Sequence, residues 1–237
     1  MSTPSRRRLA ALAKRFDLPA GAEPALRSLL DLVASHPAAP TKLTDPTAAV
    51  DAHVADALVA LELEQLRDAQ RIADLGAGAG FPGLVLAVAL PDAHVTLVES
   101  NRKKCAFLER AVQLMGLTNV KTIASRAEQW TEGIGCCDLV TARAVAPLNV
   151  LVEYAAPLLV AGGSLVAWKG RRDTAEEADG DGAAAATGLA AAEVRAVWPW
   201  DEAQHLHLHR YVKVGSTPNR YPRRAGMASK RPLRSCS

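Results

Sequence analysis

The chain of 237 residues has few aromatic side chains: three Phe, three Tyr and four Trp make up 4% of it. Stacking platforms for single-stranded nucleic acid are therefore sparse, and Trp198 and Trp200 are expected in core and edge packing. Cysteine is scarce as well, with Cys105, Cys136, Cys137 and Cys236 and no C-x-x-C pair. Adjacent Cys136 and Cys137 cannot readily chelate one zinc or bridge without strain, so the usage reads as reduced and cytoplasmic, with no metal centre. Long hydrophobic runs are missing. Gly83 to Leu90 and Leu158 to Ala161 fall far short of the roughly 20 residues that cross a bilayer, so no membrane partner is expected. Arg6, Arg7 and Arg8 are followed by only a scrap of apolar sequence, which predicts a basic helix over Met1 to Phe16 rather than a secretory signal. With 49% hydrophobic residues and a net charge of only +3, the chain can bury a real core.

That charge is unevenly spread. Arg220, Arg223, Arg224, Lys230, Arg231 and Arg234 lie in residues 215–237, which hold no acidic residue, so the rest of the chain carries −3. A mildly acidic body with a basic tail suits contact with nucleic acid or an anionic surface, or merely a solubilising terminus. Three regions are expected: a helical cap over 1–70, an α/β core over 71–214, and a tail over 215–237 that orders only on a partner. In the cap, Glu23 to Ser35 has an apolar helical face, and a second helix starts near Asp45-Pro46-Thr47. From Arg71 onward, short apolar runs alternate with helical segments, the pattern of a doubly wound parallel sheet. Seven strands are predicted, at 72–75, 94–99, 120–124, 138–141, 164–168, 194–197 and 206–214. The last predicted helix runs from Thr174 to Ala192.

The most informative stretch is Asp74-Leu75-Gly76-Ala77-Gly78-Ala79-Gly80-Phe81-Pro82-Gly83. Gly76, Gly78 and Gly80 leave backbone bare for a ligand at a strand-to-helix turn. Glu99 ends the next strand, where a carboxylate accepts both hydroxyls of a ribose. The spacing is G-x-G-x-G after an acid rather than the dinucleotide G-x-G-x-x-G, which points to a methionyl cofactor whose ammonium and sulfonium suit Asp74. Alternatively, Asp74 only braces the loop. Glu128 and the Ala127 N–H, in Ser125-Arg126-Ala127-Glu128, fall where an adenine would lie, although an acid is also at home at a helix start.

Arg143 closes the fourth strand, where ligands sit in such sheets. No Asn/Asp-Pro-Pro-aromatic box and no Pro-Cys or Thr-Cys pair accompanies it, which leaves an acceptor needing no activation, such as guanine N7. Arg143 could bind a guanine edge or a phosphate, or simply be a solvated strand end. His205, His207 and His209 share one face of what reads as an edge strand, a pattern more ordinary than metal-binding.

These segments together resemble the ribosomal RNA small subunit methyltransferase G family (RsmG, or GidB). The resemblance rests on Leu43-Thr44, His53-Val54-Ala55-Asp56-Ala57-Leu58, the loop ending Gly80-Phe81-Pro82-Gly83, Ser125-Arg126-Ala127-Glu128, Ala142-Arg143-Ala144, Trp168-Lys169-Gly170, and the tail from Thr217-Pro218 to Leu233. It implies a Rossmann-like class I methyltransferase with an amino-terminal helical extension, using S-adenosylmethionine (SAM) on guanine N7 in the 530 loop of 16S rRNA. The partner is then 16S rRNA or the small ribosomal subunit, and the enzyme a monomer. Asp74, Gly76, Gly78, Gly80, Phe81, Glu99, Ala127, Glu128 and Arg143 would hold the cofactor. Arg143 and Arg126 would act in catalysis by position and charge. Lys169, Arg220, Arg223, Arg224, Lys230 and Arg231 would hold RNA. Three positions depart from the family: Ala57 for the usual Ser, Met227-Ala228 for Thr-Pro, and the His-rich final strand. A small-molecule methyltransferase and an rRNA-binding assembly factor with a retained cofactor fold are the alternatives.

Overall fold

The computed structural model describes residues 2–36 and 45–235; Leu43-Thr44 and Cys236 lie outside them. Two helices open the chain, α1 (Thr3–Arg15) and α2 (Ala22–Ser35). A continuous helical run follows in four segments: α3 (Pro46–Ala49), a π-helical segment Val50–Ala55, α4 (Asp56–Leu58) and a 3₁₀ turn Val59–Glu62. The Asp45 side chain caps this run by accepting from Ala48 N at 2.6 Å, with Pro46 at the first helical position. After α5 (Glu64–Arg67), the α/β core begins.

Strands and helices then follow in the order β1 (Arg71–Leu75), α6 (Gly83–Ala89), β2 (His94–Glu99), α7 (Arg102–Met115), β3 (Val120–Ala124), two 3₁₀ turns, β4 (Cys137–Arg143), α8 (Leu148–Ala155), β5 (Leu159–Lys169), α9 (Thr174–Thr187), β6 (Leu189–Val197) and β7 (Leu206–Lys213). The sheet order is β3-β2-β1-β4-β5-β7-β6. The chain winds outward from β1 and then returns to its other side at β4, so the sheet reverses between β1 and β4. The amino-terminal helices share one apolar core with α6 and α7 on one sheet face, and α8 and α9 enclose a second core on the other. No helix among the described residues is long and apolar enough to cross a membrane.

Three sequence expectations change. The sheet is not wholly parallel, because β7 runs antiparallel to both β5 and β6. The short connection from β6 to β7 has no crossover helix, and a parallel neighbour requires one. The last long helix stops at Thr187, where Gly188 takes the left-handed cap at φ 83. The alanine run beyond it joins β6, sheet pairing overriding helix propensity. The His-rich strand is interior rather than an edge; His209 is buried there with Nε2 4.0 Å from Glu177.

The tail is also packed, against the expectation that it orders only on a partner. A helix α10 (Met227–Lys230) lies against α8, and Tyr221 and Ala228 are buried. Arg223 makes a two-pronged ion pair with Glu153 of α8, a carboxylate with a side chain 1% exposed. Asn149 Nδ2 donates to Leu233 O at 2.6 Å.

Candidate functional site

The glycine loop leaves β1 and turns into α6. Gly76 has φ +65, and a Cβ there would sit 2.7 Å from Val145 Cγ2, so both conformation and space exclude a side chain. Asp74, 1% exposed, lies beneath the loop. Its Oδ2 accepts from Gly83 N at 3.0 Å and its Oδ1 from Thr141 Oγ1 at 2.8 Å. Burial pushes its pKa up to about 7, against the pull of those two bonds. Glu99 braces the same loop: Oε2 accepts from Gly78 N at 3.1 Å and Oε1 from Asn101 N at 2.8 Å.

Above the loop is an open cavity of about 170 Å³, walled among others by Gly76, Val98, Arg126, Ala127, Glu128 and Val145. Tyr154 of α8 and Ser229 of α10 complete it, 3.2 Å apart through their hydroxyls. The tail therefore forms part of this wall. Glu128 is tied to it too, because Oε1 accepts from Gly226 N at 2.8 Å.

A second cavity, of about 300 Å³, opens on the other side of the β4 terminus. Arg143 and Ala144 line this one while the next two residues, Val145 and Ala146, line the first. Ala144 makes the change of direction in the left-handed region, at φ 56, an unusual conformation for a residue with a Cβ. Arg143 is fixed by the cap: Nη1 donates to Asp56 Oδ2 at 2.6 Å and to Ala52 O at 3.0 Å. Trp168 Nε1 donates to the Asp56 carbonyl at 2.8 Å, anchoring the same turn to β5. Burial raises the Asp56 pKa, opposed by the Arg143 charge. His53 stacks on Phe81 with ring centroids 4.5 Å apart, and burial followed by the Arg143 charge lowers its pKa to about 4. The Arg143 guanidinium lies 5.5 Å from the Phe81 ring. The π-helical segment sets this cluster, a geometry often found at functional sites.

The residues singled out from sequence thus divide. Gly76, Ala127 and Glu128 line the first cavity; Asp74 and Glu99 hold its floor by hydrogen bonds to backbone. Arg126 lines the first cavity and Arg143 the second, so the two are not brought together. Lys169 lines the second cavity with its Nζ 2.5 Å from Glu176 Oε1. Arg224, Lys230 and Arg231 are exposed, and Arg220 is exposed with its guanidinium over the Tyr221 ring. Arg223 differs: its charge is taken up by buried Glu153. Asp56, Tyr154 and Ser229 had no assigned role. The H-x-x-D run contained the signal for Asp56; Tyr154 and Ser229 come together only through the fold.

The family model for rRNA small subunit methyltransferase G (GidB) matches residues 32–205. Ribosomal RNA small subunit methyltransferase G from Desulfitobacterium hafniense is 39% identical over 196 residues, covering 81% of each chain. The protein of that name from Rubrobacter xylanophilus is 41% identical, covering 80% of this chain and 75% of its own. Among solved structures, the Thermus thermophilus branched-chain polyamine synthase gives a TM-score of 0.60 at 18% identity, over 85% of this chain and 66% of that one. Aeropyrum pernix fibrillarin, with natively bound SAM, gives 0.52 at 18% identity, over 67% and 73%. These two share the fold. By the family model and the relatives, the chain belongs to the ribosomal RNA small subunit methyltransferase G family.

Proposed function

We propose that the chain transfers a methyl group from SAM to N7 of a guanine in the 530 loop of 16S rRNA, presented as the small ribosomal subunit or as RNA. The observation that carries this reading is the pair of cavities meeting at residues 143–146, above the point where the sheet order reverses. The first cavity fits the cofactor. Bare backbone at Gly76, the buried acids Asp74 and Glu99 beneath the loop, and Glu128 in the wall suit an adenosine bearing positive charge. When bound, SAM supplies a methyl group on a sulfonium.

The protein residues then have to position and not to activate. Guanine N7 carries a free lone pair in the neutral base, so no side chain need remove a proton before attack. Arg143 is held rigidly by Asp56 and Ala52 through one nitrogen, leaving the rest of its planar fork for a guanine O6 edge or a phosphate. Asp56 acts through Arg143 as a positioning residue. Lys169 lines the same wall as an ion pair with Glu176. Fixed orientation and preplaced charge supply the rate, as in reactions that need no covalent step. Incubation of tritiated SAM with undermethylated small subunits tests the reading: label is expected in 16S rRNA as 7-methylguanosine. Label at another atom, or none while SAM still binds, overturns it.

A further inference from the structure

Trp198 contradicts its expected packing role: it is 63% exposed, and it is the one aromatic among the exposed large hydrophobic residues described. An indole left in water forgoes the burial that usually pays for tryptophan. Beside it is a cavity of about 290 Å³, walled by Trp198, Gln204 and His205 and by Val197, Leu206 and His207, the last three shared with the Arg143 cavity. The two cavities thus lie on either side of the same three residues, among them His207, tied through Nδ1 to the Gly170 carbonyl at 2.9 Å. His205 sits at φ 57 in a bend between Gln204 and the start of β7. The cavity offers a flat aromatic face and an amide able to donate and accept at a base edge. Asp201 and Glu202, exposed in the same loop, oppose a phosphate there and leave a neutral planar group as the fitting occupant.

We propose that this cavity receives the nucleobase adjacent to the methylated guanine, unstacked from its strand and laid against Trp198. The inference rests on the Arg143 cavity being the guanine site, and it adds a second subsite one nucleotide away. Sequence-specific recognition of RNA commonly splays and stacks bases in this way. The test is kinetic, on undermethylated small subunits. Trp198→Ala is expected to raise KM for the subunit by roughly 5- to 150-fold, the range for one base–aromatic stack. Its Kd for SAM stays that of the unaltered protein, and Trp198→Phe recovers most of the loss. A KM within twofold of the unaltered protein, or a Phe variant as impaired as the Ala one, overturns the subsite while leaving the guanine site in place. If the unaltered protein methylates no subunit, the guanine site and this one fall together.

Discussion

Asp74 and His53 pull stability in opposite directions across the same pH range. Asp74, raised to about 7, keeps its proton in the folded state where the unfolded chain has lost it, so its contribution is full below about pH 4 and fades as pH rises through 7. His53, lowered to about 4, is neutral when folded; its contribution is full above about pH 6.5 and fades as pH falls through 4. Between about pH 4 and 6.5 the two slopes offset one another. Urea unfolding at stepped pH is expected to separate them. Relative to the unaltered protein, Asp74→Asn gains stability with rising pH across that window, and His53→Gln loses it, each by up to about 1.4 kcal/mol per pH unit. Parallel curves for all three proteins would contradict the burial of these groups. Asp74 also marks how much of the site was legible in the residues. Its place before the glycines singled it out, and the brace it forms was one of two readings; its full burial depends on Thr141 from a strand 67 residues away.

At the level of elements, the tail and the π-helical segment build the walls that the loop does not. Replacing Arg223 with Ala strands the Glu153 carboxylate in the second core, with an expected cost of about 3–5 kcal/mol and a melting temperature lower by about 6–20 °C. Because α10 carries Ser229 into the wall of the first cavity, the proposed cofactor site, the Kd for SAM should rise in the same variant. Unchanged melting would mean that the pair contributes nothing. Neither effect could be read from the tail's composition. Pro, Arg, Gly and Ser look like a solvated terminus, and only α8, delivering Glu153, Asn149 and Tyr154 to one side, gives them partners. The strands and the glycine loop were readable because their signals are local: alternating apolar runs and a turn that needs positive φ. The antiparallel end of the sheet and the early stop of α9 depend on pairing between distant segments.

For the whole molecule, the opposition of an acidic body and a basic tail survives with one charge moved. Arg223 faces inward, so five cations, Arg220, Arg224, Lys230, Arg231 and Arg234, remain exposed. If each meets a phosphate of single-stranded RNA, a plot of log K against log salt should be steeper by about 3.5 units than in a variant with these five replaced by Gln, at roughly 0.7 per contact. Equal slopes in filter binding would leave the tail only its structural part. That part has a consequence for biosynthesis. Ser229, and Gly226 that holds Glu128, emerge from the ribosome after every other residue that lines the first cavity, so its wall closes late in translation. A nascent chain still short of Gly226 can have its sheet formed and its glycine loop braced, yet lack the wall that Ser229 completes.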